Sequence, residues 1–221
     1  VEIIGEQAFA KCKNLETINL PEGLTEVGYR FIADTAVKSL KVPKTVNRSY
    51  TYGSSGATGG AAALEEVIFE EGMIKIPDYF CANNKANAAL VKVEIPESVT
   101  EIGCYAFSRC SGLESVYFKK KVNKIGFNAY EYCTGLKKIE FQKNDEKVKD
   151  DNGQEKIYPL VLTRGSFSNC IELKEVVLSP NVEEIGNEVF YGCTALKQIE
   201  IPEGVEIIGE QAFAKCKNLE R

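Results

Sequence analysis

The sequence contains no histidine and no tryptophan among its 221 residues, and only one methionine. Without histidine, the chain alone cannot form a Ser-His-Asp triad, a Cys-His nucleophile pair or an imidazole-ligated zinc site. Its net charge of −5 disfavours nucleic-acid binding, because phosphates attract a basic surface. No apolar run approaches the ~20 residues of a membrane-spanning helix, and no segment has the pattern of a signal peptide. These absences predict a soluble, acidic chain that is not a hydrolase and that contacts neither nucleic acid nor membrane. They do not identify what it binds, and we expect no cofactor and no enzymatic activity.

What the sequence does contain is an internal repeat. The motif Ile-Gly-x-x-Ala-Phe-x-x-Cys occupies residues 4–12, and related copies end at Cys110, Cys133, Cys170, Cys193 and Cys216. A second phrase, Leu-x-x-Ile-x-Ile-Pro-x-x-Val-x-x-Ile-Gly, joins successive copies. The spacing of Leu90, Leu113 and Leu136 gives a unit of 23 residues. A period of this length indicates a solenoid, in which stacked units bury one another's apolar sides.

Each unit has a predictable local structure. The alternation in Leu-x-x-Ile-x-Ile predicts a strand with its isoleucines turned inward, and proline ends that strand because it lacks an N–H. Val-x-x-Ile-Gly predicts a second short extended segment, and the glycine permits a sharp turn. The spacing of apolar residues in Ala-Phe-x-x-Cys predicts one or two helical turns. We therefore expect an α/β fold, a right-handed leucine-rich solenoid with a parallel β-sheet face and short helical turns.

The repeat resembles the BspA-like leucine-rich repeat, a type named for bacterial surface antigens. The resemblance covers nearly the whole chain and depends on many motif positions that recur together. It implies a cell-surface or secreted protein, extracellular in location, that acts in adhesion or protein binding. It also implies that there are no catalytic residues to transfer.

Two regions depart from the repeat within what we expect to be one domain over residues 1–221. Residues 37–89 are irregular, and their Gly-rich stretch, residues 53–60, predicts a flexible loop. Residues 142–160 are an insertion in which Asn152-Gly153 predicts a β-hairpin. In addition, residues 1–16 are identical to residues 205–220. This identity favours an excerpt of a longer array, whether by natural duplication or through an introduced boundary.

The eight cysteines allow two interpretations. Six of them occupy one repeat position, which could form a disulfide or metal ladder, or could simply place a small apolar side chain beneath the predicted helical turn. No Cys-x-x-Cys pair suggests zinc, so we favour the packing role and expect no bound metal. Cys81 and Cys104 lie off this position, and a bridge between them remains open.

The acidic insertion invites a calcium interpretation as well. A calcium loop with Gly153 at its sixth position would need an acidic residue at position 148, where this chain has valine. We therefore expect a solvated hairpin tip.

The exposed strand positions are the candidate binding surface, because a solenoid presents them side by side. We expect a protein-binding face at Ile68, Lys92, Glu94, Tyr117, Lys138 and Glu140. Its partners would be proteins, such as host matrix or surface proteins. The alternative function is architectural: a spacer or self-associating surface-layer component without a ligand of its own.

Overall fold

The structure, a computed structural model, describes residues 1–53, 55–83, 89–144, 147–149, 153 and 155–220, and only the backbone of residues 148 and 156. Its strands in chain order are β1 (Ile3–Ile4), β2 (Glu26–Val27), β3 (Ser39–Val42), β4 (Arg48–Ser49), β5 (Glu66–Phe69), β6 (Lys75–Ile76), β7 (Lys92–Glu94), β8 (Glu101–Ile102), β9 (Ser115–Phe118), β10 (Lys124–Ile125), β11 (Lys138–Phe141), β12 (Lys147–Lys149), β13 (Glu155–Ile157), β14 (Leu160–Leu162), β15 (Glu175–Val177), β16 (Val182–Ile185) and β17 (Ile207–Ile208).

The strands form two faces of a solenoid, and each unit of the repeat is one coil of it. On the Ile-Gly face, built by the Val-x-x-Ile-Gly phrase, β1, β2 and β4 pair in parallel, and a six-stranded parallel sheet runs β6-β8-β10-β14-β16-β17. On the Leu-Ile face, built by the Leu-x-x-Ile-x-Ile phrase, there are two three-stranded parallel sheets, β3-β5-β7 and β9-β11-β15. The predicted parallel leucine-rich solenoid is confirmed.

The insertion forms a separate antiparallel pair. β12 and β13 pair so that Lys147 lies opposite Ile157 and Lys149 lies opposite Glu155, where the sequence predicts a hairpin. Residues 150–152, which include part of the predicted turn and of the acidic segment considered for calcium, lie outside the described residues.

The predicted helical turns are wrong, and the expected α/β class is not confirmed, because no helix occurs among the described residues. In the segment Ala-Phe-x-x-Cys, every second N–H crosses to the following coil: Tyr105 donates to Phe127, Phe107 to Ala129 and Arg109 to Glu131, each at 2.8 Å. The intervening N–H groups donate to the carbonyl three residues earlier, as Cys110 does to Phe107 at 3.1 Å. A helix would engage all its interior N–H groups within itself and leave none for the neighbouring coil. The apolar spacing in this segment therefore reflects how its side chains pack in the core and does not indicate a helix.

This turn requires left-handed backbone at two positions in each regular coil. Tyr105 and Arg109 have φ values of 54° and 64°, and the equivalent non-glycine residues of other coils also have positive φ. Such a conformation is unfavourable for side chains other than glycine. It is retained because it directs alternate N–H groups to the adjacent coil.

The Gly-rich stretch is not an open loop where the structure describes it. Gly56 is buried and donates its N–H to Ala82 at 2.8 Å, and Thr58 donates to Phe80 at 3.0 Å. A Cβ on Gly56 would overlap the carbonyl oxygen of Tyr79. The prediction of an open, flexible loop is therefore wrong for residues 55–60, whose glycines allow close approach of two backbones.

Aromatic side chains form the centre of the core. Five rings stack face to face along successive coils, at centroid distances of 5.0–5.8 Å: Phe107, Tyr130, Phe167, Phe190 and Phe213. Phe118 and Phe141 stack at 4.4 Å and meet this aromatic ladder edge-on. Each interior ring thus contacts the coils on both sides, which couples the coils to one another.

We expect Phe190→Ala to lower the free energy of unfolding by about 3–5 kcal/mol, because it removes a fully buried ring from the ladder and leaves a cavity. Lys138→Ala, on the exposed face, should cost little. Urea unfolding followed by circular dichroism measures both variants. A larger loss for Lys138→Ala than for Phe190→Ala would contradict the stacked core.

A substitution at Gly126 tests the close contact between the backbones of adjacent coils. A Cβ at this position would lie 2.6 Å from the Ile102 carbonyl oxygen and 2.7 Å from the Cys104 nitrogen. Gly126→Ala should therefore destabilise the fold by about 1–3 kcal/mol through overpacking. Gly5 occupies the same motif position with nothing within 4 Å, so Gly5→Ala is the matched control and should unfold like the parent chain. Equal denaturation midpoints for the two variants would refute the close-packing account.

Candidate protein-binding face

The six predicted binding residues all lie on strands of the Leu-Ile face. Registers place Ile68 beside Glu94 and Tyr117 beside Glu140, as the repeat alignment predicts. Tyr117 is 44% exposed, whereas Ile68 is only partly accessible. Because β7 and β9 belong to different sheets, the residues form two groups: Ile68, Lys92 and Glu94 in one, Tyr117, Lys138 and Glu140 in the other.

The charges of this face are largely paired within it. Lys138 contacts Glu175 at 2.8 Å and Glu140 at 3.1 Å, and these hydrogen bonds raise the pKa of its ammonium group. Lys92 is held in the same way by Glu66 and Glu94, which raise its pKa. Each lysine thus pairs with one glutamate on its own strand and one on the neighbouring strand, which fixes the position of its long side chain. Their contribution to stability is small because the groups are exposed.

A groove separates β7 from β9. No hydrogen bond among the described residues joins these two strands, and a cavity of about 550 Å³ lies between them. Its apolar part includes Val91, Val93 and Ile95, and its far wall is formed by Ser115, Tyr117 and Lys119. Sequence reasoning did not find this β7–β9 groove. The one available signal was the irregularity of residues 37–89, which ends just before β7.

One edge of the β7–β9 groove is bordered by a polar and aromatic cluster. Lys119 pairs with Glu97 at 3.1 Å across the groove. Its ammonium nitrogen also lies 5.4 Å from the centre of the Tyr117 ring. The side chain of Tyr117 is thereby held beside the groove while its surface remains accessible.

The cysteines of the repeat position serve the stack of coils. Five of these six thiols donate to the carbonyl of a residue in the preceding coil: Cys110 to Cys81 at 3.4 Å, Cys133 to Phe107 at 3.1 Å, Cys170 to Tyr130 at 3.3 Å, Cys193 to Phe167 at 3.3 Å and Cys216 to Phe190 at 3.0 Å. The carbonyl of Phe107 also accepts the N–H of Cys110, so both its lone pairs are used. The repeat cysteine is therefore a small buried donor that links coils.

The other cysteines have different surroundings. Cys81 stands where other coils place the ladder ring and is buried, Cys104 is half-buried, and Cys12 is exposed. All eight cysteines are free thiols. Burial raises the pKa of the Cys81 and Cys133 thiols to about 12 and that of Cys110 well above its usual value. These buried sulfurs are poor nucleophiles because they remain protonated.

Two kinds of feature are absent from the part of the chain that the structure describes. Within the described residues, no cluster of three or more Cys, Asp or Glu side chains could hold a metal ion. Nor does that part of the chain contain a helix with the length and apolar character to cross a membrane.

We expect a thiol titration with Ellman's reagent at pH 8 to separate these groups. In the folded chain Cys12 and Cys104 should react, whereas Cys81, Cys110, Cys133, Cys170 and Cys193 should react only after denaturant is added, since they are inaccessible and protonated. Cys12→Ser is the control, and it should remove one thiol from the fast phase. Rapid reaction of more than three thiols without denaturant would contradict this assignment.

Comparison with known proteins identifies the repeat. A T. pallidum leucine rich repeat protein is similar over 99% of this chain and 82% of that one, with 20% identity and a TM-score of 0.61, so the two share a fold. A leucine rich cell surface protein from Faecalibacterium prausnitzii matches 100% of this chain and 69% of its own, with 23% identity and a TM-score of 0.45. A leucine-rich repeat protein from Bacteroides ovatus gives 22% identity, the same coverage of each chain and a TM-score of 0.47.

No curated protein is significantly similar to the chain. The model of the BspA type leucine rich repeat region matches six copies, over residues 1–87, 60–152 and 161–221. Repeats of this kind are generally scaffolds for protein–protein interaction and are typically non-enzymatic. The chain therefore belongs to the BspA-type leucine-rich repeat family.

Proposed function

We propose that this chain is a non-enzymatic protein-binding and adhesion module of a cell-surface or secreted protein, and that residues 1–221 form one repeat domain. The observation that carries the proposal is the register of the Leu-Ile face. Parallel pairing places Ser39, Glu66 and Lys92 in one row and Ser115, Lys138 and Glu175 in another, with every side chain projecting from the same surface. A rigid row of this kind supports recognition by surface complementarity.

Tyr117 is the most suitable anchor on this face. Its ring is accessible and is positioned between Lys119 and the strand neighbour Glu140. Tyrosine is enriched among the residues that dominate protein interfaces, because it combines a large apolar area with a hydroxyl group. The paired lysines around it would form the polar rim.

Family membership supports the location and the class of partner. The BspA-type repeat is associated with bacterial surface antigens, which favours a cell-surface or secreted protein that meets host matrix or surface proteins. In an architectural role, the competing function, the same face would instead bind other copies of the chain.

Binding to immobilised extracellular-matrix proteins, followed by surface plasmon resonance, tests the proposal. We expect the parent chain to bind at least one of them, and Tyr117→Ala to weaken that binding about 10-fold or more, as loss of an interface anchor does. Tyr158→Ala is the matched control, because Tyr158 is comparably exposed, at 48%, but lies beside the hairpin. It should bind like the parent.

Three outcomes would count against adhesion through this face. One is failure of the parent chain to bind any matrix protein, and another is equal loss of binding in both tyrosine variants. The third is ordered self-association without matrix binding, which would favour the architectural role.

A further inference from the structure

The two strands that border the β7–β9 groove have unused backbone groups. β7 is the last strand of the sheet β3-β5-β7, and β9 is the first strand of the sheet β9-β11-β15. Each therefore pairs on one side only among the described residues. An unpaired edge within a sheet presents a row of N–H and C=O groups that can pair with another strand.

The hydrogen bonds of β9 show which of its groups point into the groove. The Glu114 carbonyl accepts the Lys138 N–H at 3.2 Å, and the Phe118 carbonyl accepts the Gln142 N–H at 2.8 Å. Alternate residues of a strand direct their backbone groups to opposite sides of it. The N–H and C=O groups of Ser115 and Tyr117 therefore face away from β11 and towards β7.

The same reasoning applies to β7. The Lys92 N–H donates to the Glu65 carbonyl at 3.1 Å, and Glu94 is paired with Ile68 of β5. The backbone groups of Val93 and Ile95 consequently face the groove, which both residues line. Donors and acceptors thus line both walls of one cavity.

The side chains around the groove also suit an extended segment. Val93 is only partly buried and Val91 is 55% exposed, so apolar surface is accessible at the β7 wall. Tyr117 and Lys92 stand on the outer surface beside the groove. An extended segment with alternating side chains would direct one set onto Val93 and the other towards solvent and Tyr117.

We propose that the β7–β9 groove binds an extended peptide segment of a partner protein, which adds a strand between the two sheets. This inference rests on the proposed protein-binding function and specifies how part of the face is used. An extended chain fits because its backbone groups are free on both sides, whereas a helix engages its interior groups within itself. Each backbone hydrogen bond so formed adds to affinity, and the apolar wall selects the inward side chains.

Ser115→Pro tests the backbone pairing. The substitution removes an N–H that faces the groove but none that the β9–β11 pairing uses, and an edge strand tolerates proline at such a position. Ser115→Ala keeps the N–H. Ser39→Pro is the matched control, because Ser39 is the first residue of β3, the corresponding first strand of the other three-stranded sheet.

The probe is a peptide selected from a random dodecapeptide library displayed on phage, with the intact parent chain as the target. Fluorescence anisotropy then gives the Kd of the synthetic peptide. We expect Ser115→Pro to weaken binding about 10-fold or more, the equivalent of one to two hydrogen bonds. Ser115→Ala and Ser39→Pro should change it less than about 3-fold.

A second measurement leaves the protein unchanged, in case the proline variant is unstable. N-methylation of alternate amides of the peptide preserves its side chains and removes backbone donors on one edge. We expect each of the two methylation registers to weaken binding to the parent chain about 10-fold or more, because one removes donors that face β7 and the other removes donors that face β9.

The groove assignment would be overturned by any of three results. The first is that no peptide is enriched from the library. The second is that peptide binding is unchanged both by Ser115→Pro in a folded variant and by methylation of the peptide. The third is that no peptide binds while the chain self-associates and Ser115→Pro abolishes that self-association. If one of these three results is obtained while matrix proteins still bind the parent chain, the groove inference fails and the adhesion function stands. If peptides bind through the groove but no matrix protein binds, the adhesion function fails and the groove inference stands.

Discussion

Hydrogen bonding between the backbones of adjacent coils is the constraint on which the rest of this structure depends. A coil of about 23 residues cannot satisfy its own N–H and C=O groups, so it must pair with its neighbours on the Ile-Gly face, on the Leu-Ile face and along the turn between them. The positive φ of Tyr105 and Arg109 follows from this need, since it sends alternate N–H groups across to the next coil.

The recurring residues of the motif are explained by the same constraint. Gly126 lacks a Cβ because the adjacent backbone passes too close, and Cys133 donates its thiol hydrogen to the preceding coil's Phe107 carbonyl. The aromatic ladder then couples coils through side-chain stacking. Backbone pairing, thiol donation and ring stacking all join one coil to the next along the solenoid axis. Together they produce a rigid scaffold.

Recognition becomes possible where this pairing is interrupted. The Ile-Gly face is continuous from β6 to β17, while the Leu-Ile face is divided between β7 and β9. The division exposes edge groups beside Tyr117, so the surface with the most varied chemistry lies next to a break in the sheet. The function proposed for the face and the strand-accepting groove both depend on this combination of a rigid row and a local gap.

The sequence by itself determined the repeat, its period, the parallel stacking of coils and the neighbours within each strand row, because packing requires apolar residues at fixed intervals. The tertiary structure alone decided the rest. Apolar spacing in Ala-Phe-x-x-Cys suits a helix and this turn equally, and only the hydrogen bonds to the next coil distinguish them. Composition suggested flexibility at Gly56, but the approach of Tyr79 makes it a buried contact. The gap between β7 and β9 also depends on the tertiary structure, since the irregularity of residues 37–89 does not give the separation of two strands.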